Sequence, residues 1–180
     1  MTGQKSGAHK KMITLVLGGN KSGKSDFALD LMAKSAMPGV FIATGKARDI
    51  EFREQIRLHQ QSRGPELEVM EVGEDLPQAL KKAKLSFPSV LVDSLDYWLF
   101  SCREADCEAD KIAEFQKVLE NWGDTDLILV SCETGLGPLP GGSAVRAFIR
   151  SLGALNQSAA KVADQAFLVV AGLPLTLKQG

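Results

Sequence analysis

The sequence predicts an α/β fold in which a mostly parallel central sheet is flanked by helices. Three observations predict it. Short apolar runs bounded by turn-forming residues alternate along the chain with amphipathic stretches of helical period, and short loops join them. The first run, Met12 to Leu17, passes straight into Gly18-Gly19-Asn20-Lys21-Ser22-Gly23-Lys24-Ser25 and then into the helix-like Asp26 to Met32. Later runs end in Thr44-Gly45, Asp93 and Glu133, at the carboxyl ends of strands, where ligands gather in sheets of this kind.

Gly18 to Ser25 has the spacing G-x-x-x-x-G-K-S of a phosphate-binding P-loop. Gly18 and Gly23 allow the backbone to aim successive N–H groups inward at a helix N-terminus, where an anion is favoured. Lys24 adds a full positive charge, and Ser25 offers a hydroxyl to the Mg2+ that accompanies a nucleotide. A plain strand-to-helix turn accounts for the glycines but not for Lys24 and Ser25 together.

The second strand, Gly39 to Thr44, ends at Gly45. Asp49 to Ser62 has helical character: Phe52 and Ile56 sit four apart, and Gln55, His59 and Arg63 form a row beside them, until Gly64-Pro65 stops the helix. Leu67 to Val72 alternates apolar and acidic residues, the pattern of an exposed or edge strand. Asp75 to Leu85 is a short helix with Asp75 as its N-cap. Ser89 to Asp93 is an apolar strand ending in a carboxylate, so Asp93 is either a Walker-B-type residue near Mg2+ or the N-cap of the helical run Leu95 to Phe100. Asp106 to Trp122 is a longer helix whose stripe of Ile112, Phe115, Val118, Leu119 and Trp122 is core. Asp126 to Ser131 is a buried strand with Cys132-Glu133 at its end. The glycine- and proline-rich Gly135 to Gly142 reads as a flexible lid, Ser143 to Ala163 as the last long helix with Ser143 as its cap, and Ala166 to Ala171 and Leu173 to Leu177 as closing strands.

Composition narrows the partners. The 180 residues suit one domain over 12–180, preceded by a polar, disordered or tag-like tail over 1–11 that contains His9. Lys and Arg number 21 against 22 Asp and Glu, with no block of like charge, so no footprint for nucleic acid or anionic lipid is visible. Three cysteines without a CxxC pair argue against a disulfide framework or structural zinc, and point to a reducing cytoplasm. No run approaches the roughly 20 apolar residues of a membrane span.

The chemistry narrows further through a resemblance. The loop GGNKSGKS, the strand FIAT at Phe41 to Thr44, I-x-x-H-x-x-x-R at Ile56, His59 and Arg63, and Glu71 carry it first. It continues through LVDSLDYWL at Leu91 to Leu99, LVSCETGLGPLP at Leu129 to Pro140, Arg146, Phe148, Leu155-Asn156-Gln157 and LVVAGLPLTLK at Leu168 to Lys178. In this order, from Met12 to Lys178, the chain resembles the bifunctional adenosylcobinamide kinase and adenosylcobinamide-phosphate guanylyltransferase family of cobalamin biosynthesis.

The resemblance implies a RecA-like, three-layer P-loop NTPase fold and two reactions. In one, a nucleoside triphosphate, ATP or GTP, phosphorylates adenosylcobinamide with the help of Lys24. In the other, His59 attacks the α-phosphorus of GTP, and the resulting guanylyl-histidine passes GMP to the new phosphate. The same resemblance places Gly18, Gly19, Asn20, Lys21, Ser22, Gly23, Lys24, Ser25, Thr44, Gly45, Lys46, Gln61, Ser62, Arg63, Gly64, Glu71 and Asp93 around the nucleotide, with Mg2+ held by Ser25 and Asp93. It also implies a homotrimer. From the residues themselves, a neutral imidazole is the nucleophilic form, and Arg63 beside His59 disfavours the imidazolium. Periodicity alone makes His59 a surface histidine paired along a helix. Glu71 is an acceptor for guanine's N1 and N2 hydrogens or an exposed strand glutamate. Glu133 is a general base or a capping and loop-anchoring residue.

Several positions depart from the family's usual pattern: Gln55 for an arginine, Leu67 for a tryptophan, Asp96 for a threonine, Cys132 for an asparagine, and Gly141-Gly142 for Glu-Asn. They leave the P-loop and His59 intact while altering the lid and the corrinoid contacts, a pattern open to the weakening or loss of one of the two activities. Two other functions fit the loop: a different small-molecule P-loop kinase with His59 incidental, and a nucleotide-binding module without catalysis.

Overall fold

The computed structural model describes residues 12–45, 67–138 and 140–180. In chain order these form β1 Ile13–Gly18, α1 Lys24–Met32, β2 Gly39–Ala43, β3 Leu67–Glu71, α2 Leu76–Ser86 and β4 Ser89–Asp93. Then follow α3 Leu95–Glu104, α4 Glu108–Glu120, β5 Asp126–Cys132, α5 Ser143–Val162, β6 Gln165–Val170 and β7 Leu173–Gln179. The strands make one seven-stranded sheet in the order β3-β2-β4-β5-β1-β6-β7. Every pairing is parallel except β6 with β7. The tail 1–11 and the helix expected over 49–62 lie outside the described residues.

The central strands are near-continuous apolar runs because helices cover both of their faces. On one face Ala28, Leu29 and Met32 of α1 cluster with Val16, Phe41, Leu91, Ile128 and Val130. On the other, Leu80 of α2, Trp98 of α3, Phe115 of α4 and Leu155 of α5 cluster with Leu15, Val40, Val92 and Leu129. The result is three layers. Two polar tips in this core are satisfied by backbone: Trp98 Nε1 donates to Glu74 O at 3.0 Å and Trp122 Nε1 to Thr125 O at 2.6 Å. β3, with its alternating glutamates, is one edge, and β7 is the other.

Helix ends depart from the sequence expectations for identifiable reasons. α1 starts at Lys24 rather than Asp26 because Gly23, at φ 90°, is the N-cap, and the first helical bond runs from Phe27 N to Gly23 O at 3.0 Å. α3 continues past Phe100 to Glu104. α4 starts at Glu108 rather than Asp106 because Asp106, at φ 54°, lies in the left-handed region. Asp75 does precede α2, but its side chain makes no capping bond; the carboxylate pairs instead with Lys111 of α4. Ser143 is not a cap: it is already helical, and the extended Gly142 holds the N-cap position of α5. The three cysteines, Cys102, Cys107 and Cys132, are free thiols. Among the described residues no helix is long and apolar enough to cross a membrane.

Candidate active site

The phosphate loop is shaped by close approach from two sides. A Cβ on Gly18 would stand 2.4 Å from Ser22 Oγ and 2.8 Å from Val169 O, so only glycine fits there. Gly23 combines φ 90° with a would-be Cβ only 3.1 Å from Gly172 Cα. Gly172 belongs to the β6–β7 turn, where Ala171 at φ 51° and Gly172 at φ 78° give the two positive values of a tight hairpin turn. Its N–H donates to Ser22 O at 2.8 Å, which ties the loop to the hairpin. Lys24 Nζ donates to Gly19 O at 3.2 Å, across the mouth of the loop. Ser22 Oγ is buried with no hydrogen-bond partner, a polar atom suited to a phosphate oxygen.

Asp93 closes β4 and is buried, 7% exposed. Burial pushes its carboxyl up to about 6, while hydrogen bonding from Ser25 and the charge of Lys24 pull it down and the charges of Asp96 and Asp26 push it up. Its Oδ2 has no hydrogen-bond partner. An orphaned, buried carboxylate oxygen with a serine hydroxyl beside it fits a hard divalent cation. The described residues hold no group of three or more His, Cys, Asp or Glu side chains that could cage a metal, so such an ion would take its remaining ligands from phosphates and water. The N-cap alternative for Asp93 fails, because Ser94 holds that position before α3.

Thr44, expected at the nucleotide, is 1% exposed, and its hydroxyl bonds to backbone. Thr44 Oγ1 donates to Ser94 O at 2.6 Å and accepts from Ser94 N at 2.8 Å, while Thr44 N donates to Asp93 O at 3.1 Å. The end of β2 is thus pinned to the end of β4. Gly45 follows, against the Tyr97 ring: a Cβ there would lie 3.8 Å from it. Glu71 pairs with Ala43 across the β2–β3 edge. Three strands separate β3 from β1, so Glu71 stands about 19 Å across the sheet from the P-loop strand at ~4.8 Å per strand.

At the end of β5, Cys132 lies opposite Gly18. Its N–H donates to Asp96 Oδ1 at 3.0 Å, its carbonyl accepts from Asn156 Nδ2 at 3.0 Å, and Ser131 Oγ donates to Asn156 Oδ1 at 2.7 Å. Burial raises the Cys132 thiol to about 11, with Asp96 adding to the rise and Lys24 opposing it. Glu133 Oε1 accepts from Gly135 N at 2.7 Å, which is the loop-anchoring arrangement. The expected lid is tied at its far end too: Arg146 Nη1 donates to Pro140 O at 3.0 Å and also to Gly141 O.

The structure therefore brings Gly18 to Ser25 and Asp93 together, and sets Thr44, Gly45 and Glu71 beside one another farther along the same sheet edge. Lys46, His59, Gln61, Ser62, Arg63 and Gly64 lie outside the described residues. Sequence reasoning did not single out Gly172 as a neighbour of the loop, or Asp96 as a side chain beside it. The second had a signal: Asp96 follows Asp93 by three residues, which places it in the first turn of the next helix.

A family model described as cobinamide kinase / cobinamide phosphate guanyltransferase matches residues 14–177. The bifunctional adenosylcobalamin biosynthesis protein CobP of Pseudomonas aeruginosa is 35% identical over 169 residues, spanning 93% of this chain and 98% of that protein. The chain belongs to the cobinamide kinase / cobinamide phosphate guanyltransferase family. The bifunctional adenosylcobalamin biosynthesis protein CobU of Escherichia coli is similar at 27% identity over 187 residues, 93% of this chain and 100% of that one. Membership makes the chain an enzyme of the cobinamide kinase and guanyltransferase type.

Solved structures bear on the fold alone. The type III secretion ATPase EscN of enteropathogenic E. coli superposes with TM-score 0.61 at 12% identity, over 89% of this chain and 43% of that one. The KaiC-like protein PH0186 of Pyrococcus horikoshii gives TM-score 0.54 at 16% identity, over 88% and 71%. The cobinamide kinase / guanyltransferase chain thus has the expected RecA-like P-loop NTPase fold.

Two outcomes follow from this geometry. The pKa of Asp93 is raised on folding, so its contribution to stability is fully present below the unfolded value of 3.8 and is lost as pH rises through about 6. In metal-free urea titrations, the stability of wild type relative to Asp93→Asn should fall by on the order of 2–3 kcal/mol between pH 3.5 and pH 7.5. A pH-independent difference would contradict it. Thr44→Val leaves the Ser94 N–H buried and unpaired, at a cost of about 1–3 kcal/mol in the same titration, whereas Thr44→Ser should recover most of it. Equal losses in both variants would show that the hydroxyl is not the pin.

Proposed function

We propose that the chain phosphorylates the aminopropanol hydroxyl of adenosylcobinamide with ATP or GTP, and then transfers GMP from GTP to that phosphate, giving adenosylcobinamide-GDP. The observation that carries the reading is the complete phosphate loop facing Asp93 in a chain of this family. In the first reaction the loop's backbone N–H groups and Lys24 hold the triphosphate, so that positioning and electrostatics do most of the work. The hydroxyl oxygen bonds to the γ-phosphorus, and the nucleoside diphosphate leaves. Ser25 and Asp93 would hold Mg2+, which would supply charge neutralisation on the phosphate oxygens. Asp93 serves this role in its ionised form, so the reaction weakens as pH falls through about 6.

In the second reaction His59 acts as the nucleophile. Its neutral ring nitrogen bonds to the α-phosphorus of GTP as pyrophosphate leaves; the cobinamide phosphate oxygen then takes the GMP, and the N–P bond breaks. Gly45, Lys46, Gln61 to Gly64 and Glu71 are assigned to this GTP, with Glu71 receiving guanine's N1 and N2 hydrogens. For Thr44, the observed bonds favour a supporting role over a side-chain contact with nucleotide. Glu133, committed to Gly135, is left as a loop anchor.

A homo-oligomer, expected as a trimer from the resemblance, completes the reading, with β7 as a contact. Leu173, Leu175 and Leu177 on this edge strand are 73%, 59% and 53% exposed. A long edge strand bearing leucines invites pairing unless another chain covers it.

Incubation with α-32P-labelled GTP and Mg2+ should leave label on wild-type protein after denaturation, stable in alkali and released in acid as a phosphoramidate is. His59→Ala should take up none. Label that persists in this variant sinks the histidine assignment, and an active kinase with no labelling in wild type leaves a small-molecule kinase alone. For the assembly, Leu175→Glu should lower the solution mass measured by light scattering; a mass equal to that of wild type removes β7 from the interface.

A further inference from the structure

The phosphoryl step needs a group to take the proton of the acceptor hydroxyl, and the residue chosen from sequence for that task, Glu133, is turned into its own loop by the bond to Gly135 N. A different carboxylate is held at the mouth of the site. Asp96 lies in the first turn of α3, immediately beyond β4. Its Oδ1 accepts the Cys132 N–H at 3.0 Å, and Cys132 is the register partner of Gly18, the first residue of the phosphate loop. Asp96 is therefore fastened to the strand end beside the loop. Asp96 and Lys24 are both near the Cys132 thiol, whose shift is caused mainly by burial. The charge of Asp96 also reaches Asp93.

We propose that Asp96 is the carboxylate that receives and orients the cobinamide hydroxyl during phosphoryl transfer. This rests on the kinase reaction set out under Proposed function. The bond from Cys132 engages Oδ1 and fixes the carboxylate, and Oδ2 is the oxygen that meets the hydroxyl. The proton passes from the hydroxyl to Oδ2, the hydroxyl oxygen bonds to the γ-phosphorus, and the bond from that phosphorus to the bridging oxygen breaks as the diphosphate leaves; the proton is later released to water. The same helix supplies a wall for a large acceptor. Tyr97 and Phe100 are 55% and 52% exposed, and Phe100 meets Phe148 of α5 edge-on at 6.4 Å between ring centroids. The apolar parts of a large acceptor resting on these rings would lie on the same helix as Asp96. Asp93 is unsuited to the same task, because its unpaired oxygen is buried and, under Proposed function, is the one assigned to Mg2+.

Asp96→Asn tests this cleanly, because the amide oxygen keeps the bond to Cys132 N–H and the size of the side chain while removing the proton acceptor. With adenosylcobinamide as acceptor, kcat for its phosphorylation should fall about 10²- to 10³-fold, with the KM for nucleotide within about twofold of wild type and an unchanged melting temperature. A kcat within about threefold of wild type overturns the assignment. So does a loss matched by an equal rise in the nucleotide KM or by a lower melting temperature, since that pattern belongs to a residue that only shapes the loop. If wild type itself makes no cobinamide phosphate, the underlying functional reading fails and takes Asp96 with it. An active wild type equalled by Asp96→Asn removes Asp96 alone.

Discussion

The carboxylate of Asp93, buried where β4 ends, sets the terms for everything around it. Removing a charge from water is costly unless something replaces the lost hydration, and here the replacements are a serine hydroxyl and the Lys24 charge, which together fail to bring the group back to its ordinary value. The arrangement favours any ligand that brings positive charge to Oδ2. It also demands a rigid backbone, because a carboxylate that could swing into solvent would relieve the cost without binding anything. The Thr44 hydroxyl supplies that rigidity by engaging both polar backbone groups of Ser94, and the Thr44 N–H adds a bond to the Asp93 carbonyl. The strand end is held from the side by a neighbouring strand, and the side chain has nowhere else to go.

The phosphate loop is supported from the opposite direction. Its two required glycines are required by different neighbours: Gly18 by Val169 O and by Ser22 of the loop itself, and Gly23 by its left-handed φ and by Gly172. The hairpin of β6 and β7 is thus a structural wall of the loop, hydrogen-bonded to it through Gly172 N and Ser22 O. This hairpin also carries the exposed leucines of β7. Apolar edge and phosphate loop are therefore joined by one tight turn, whose conformation depends on a glycine at position 172.

Much of this frame was legible in the sequence, because the signals involved are local. Val90 to Val92 or Leu127 to Val130 can only be buried strands, since helices on both faces leave no polar positions between them. The phosphate loop is legible because backbone geometry demands glycine at fixed spacing. What escaped depends on distant partners. Asp75 has the composition of a cap, but Lys111, 36 residues away, offers a full charge where a cap offers an N–H. Thr44 gives no sign in sequence of the bond its hydroxyl makes to Ser94, 50 residues on. Asp106 and Asn20 are equally polar and equally turn-like in sequence, yet only the first sits at a left-handed helix boundary. For His59, Arg63 and their neighbours, outside the described residues, the functional assignment rests on sequence resemblance and family membership.

The departures at 96 and 132 looked independent in sequence and are one local change in space. The bond between them uses the backbone N–H of residue 132, so it does not depend on which side chain stands there, and a carboxylate at 96 can be held whatever fills the neighbouring position. The choice of cysteine still matters. Its thiol, raised to about 11 by burial, stays protonated at neutral pH, so it adds no negative charge beside Asp96. A small side chain that stays neutral leaves the opposite charges of Asp96 and Lys24 unaltered for a ligand to meet.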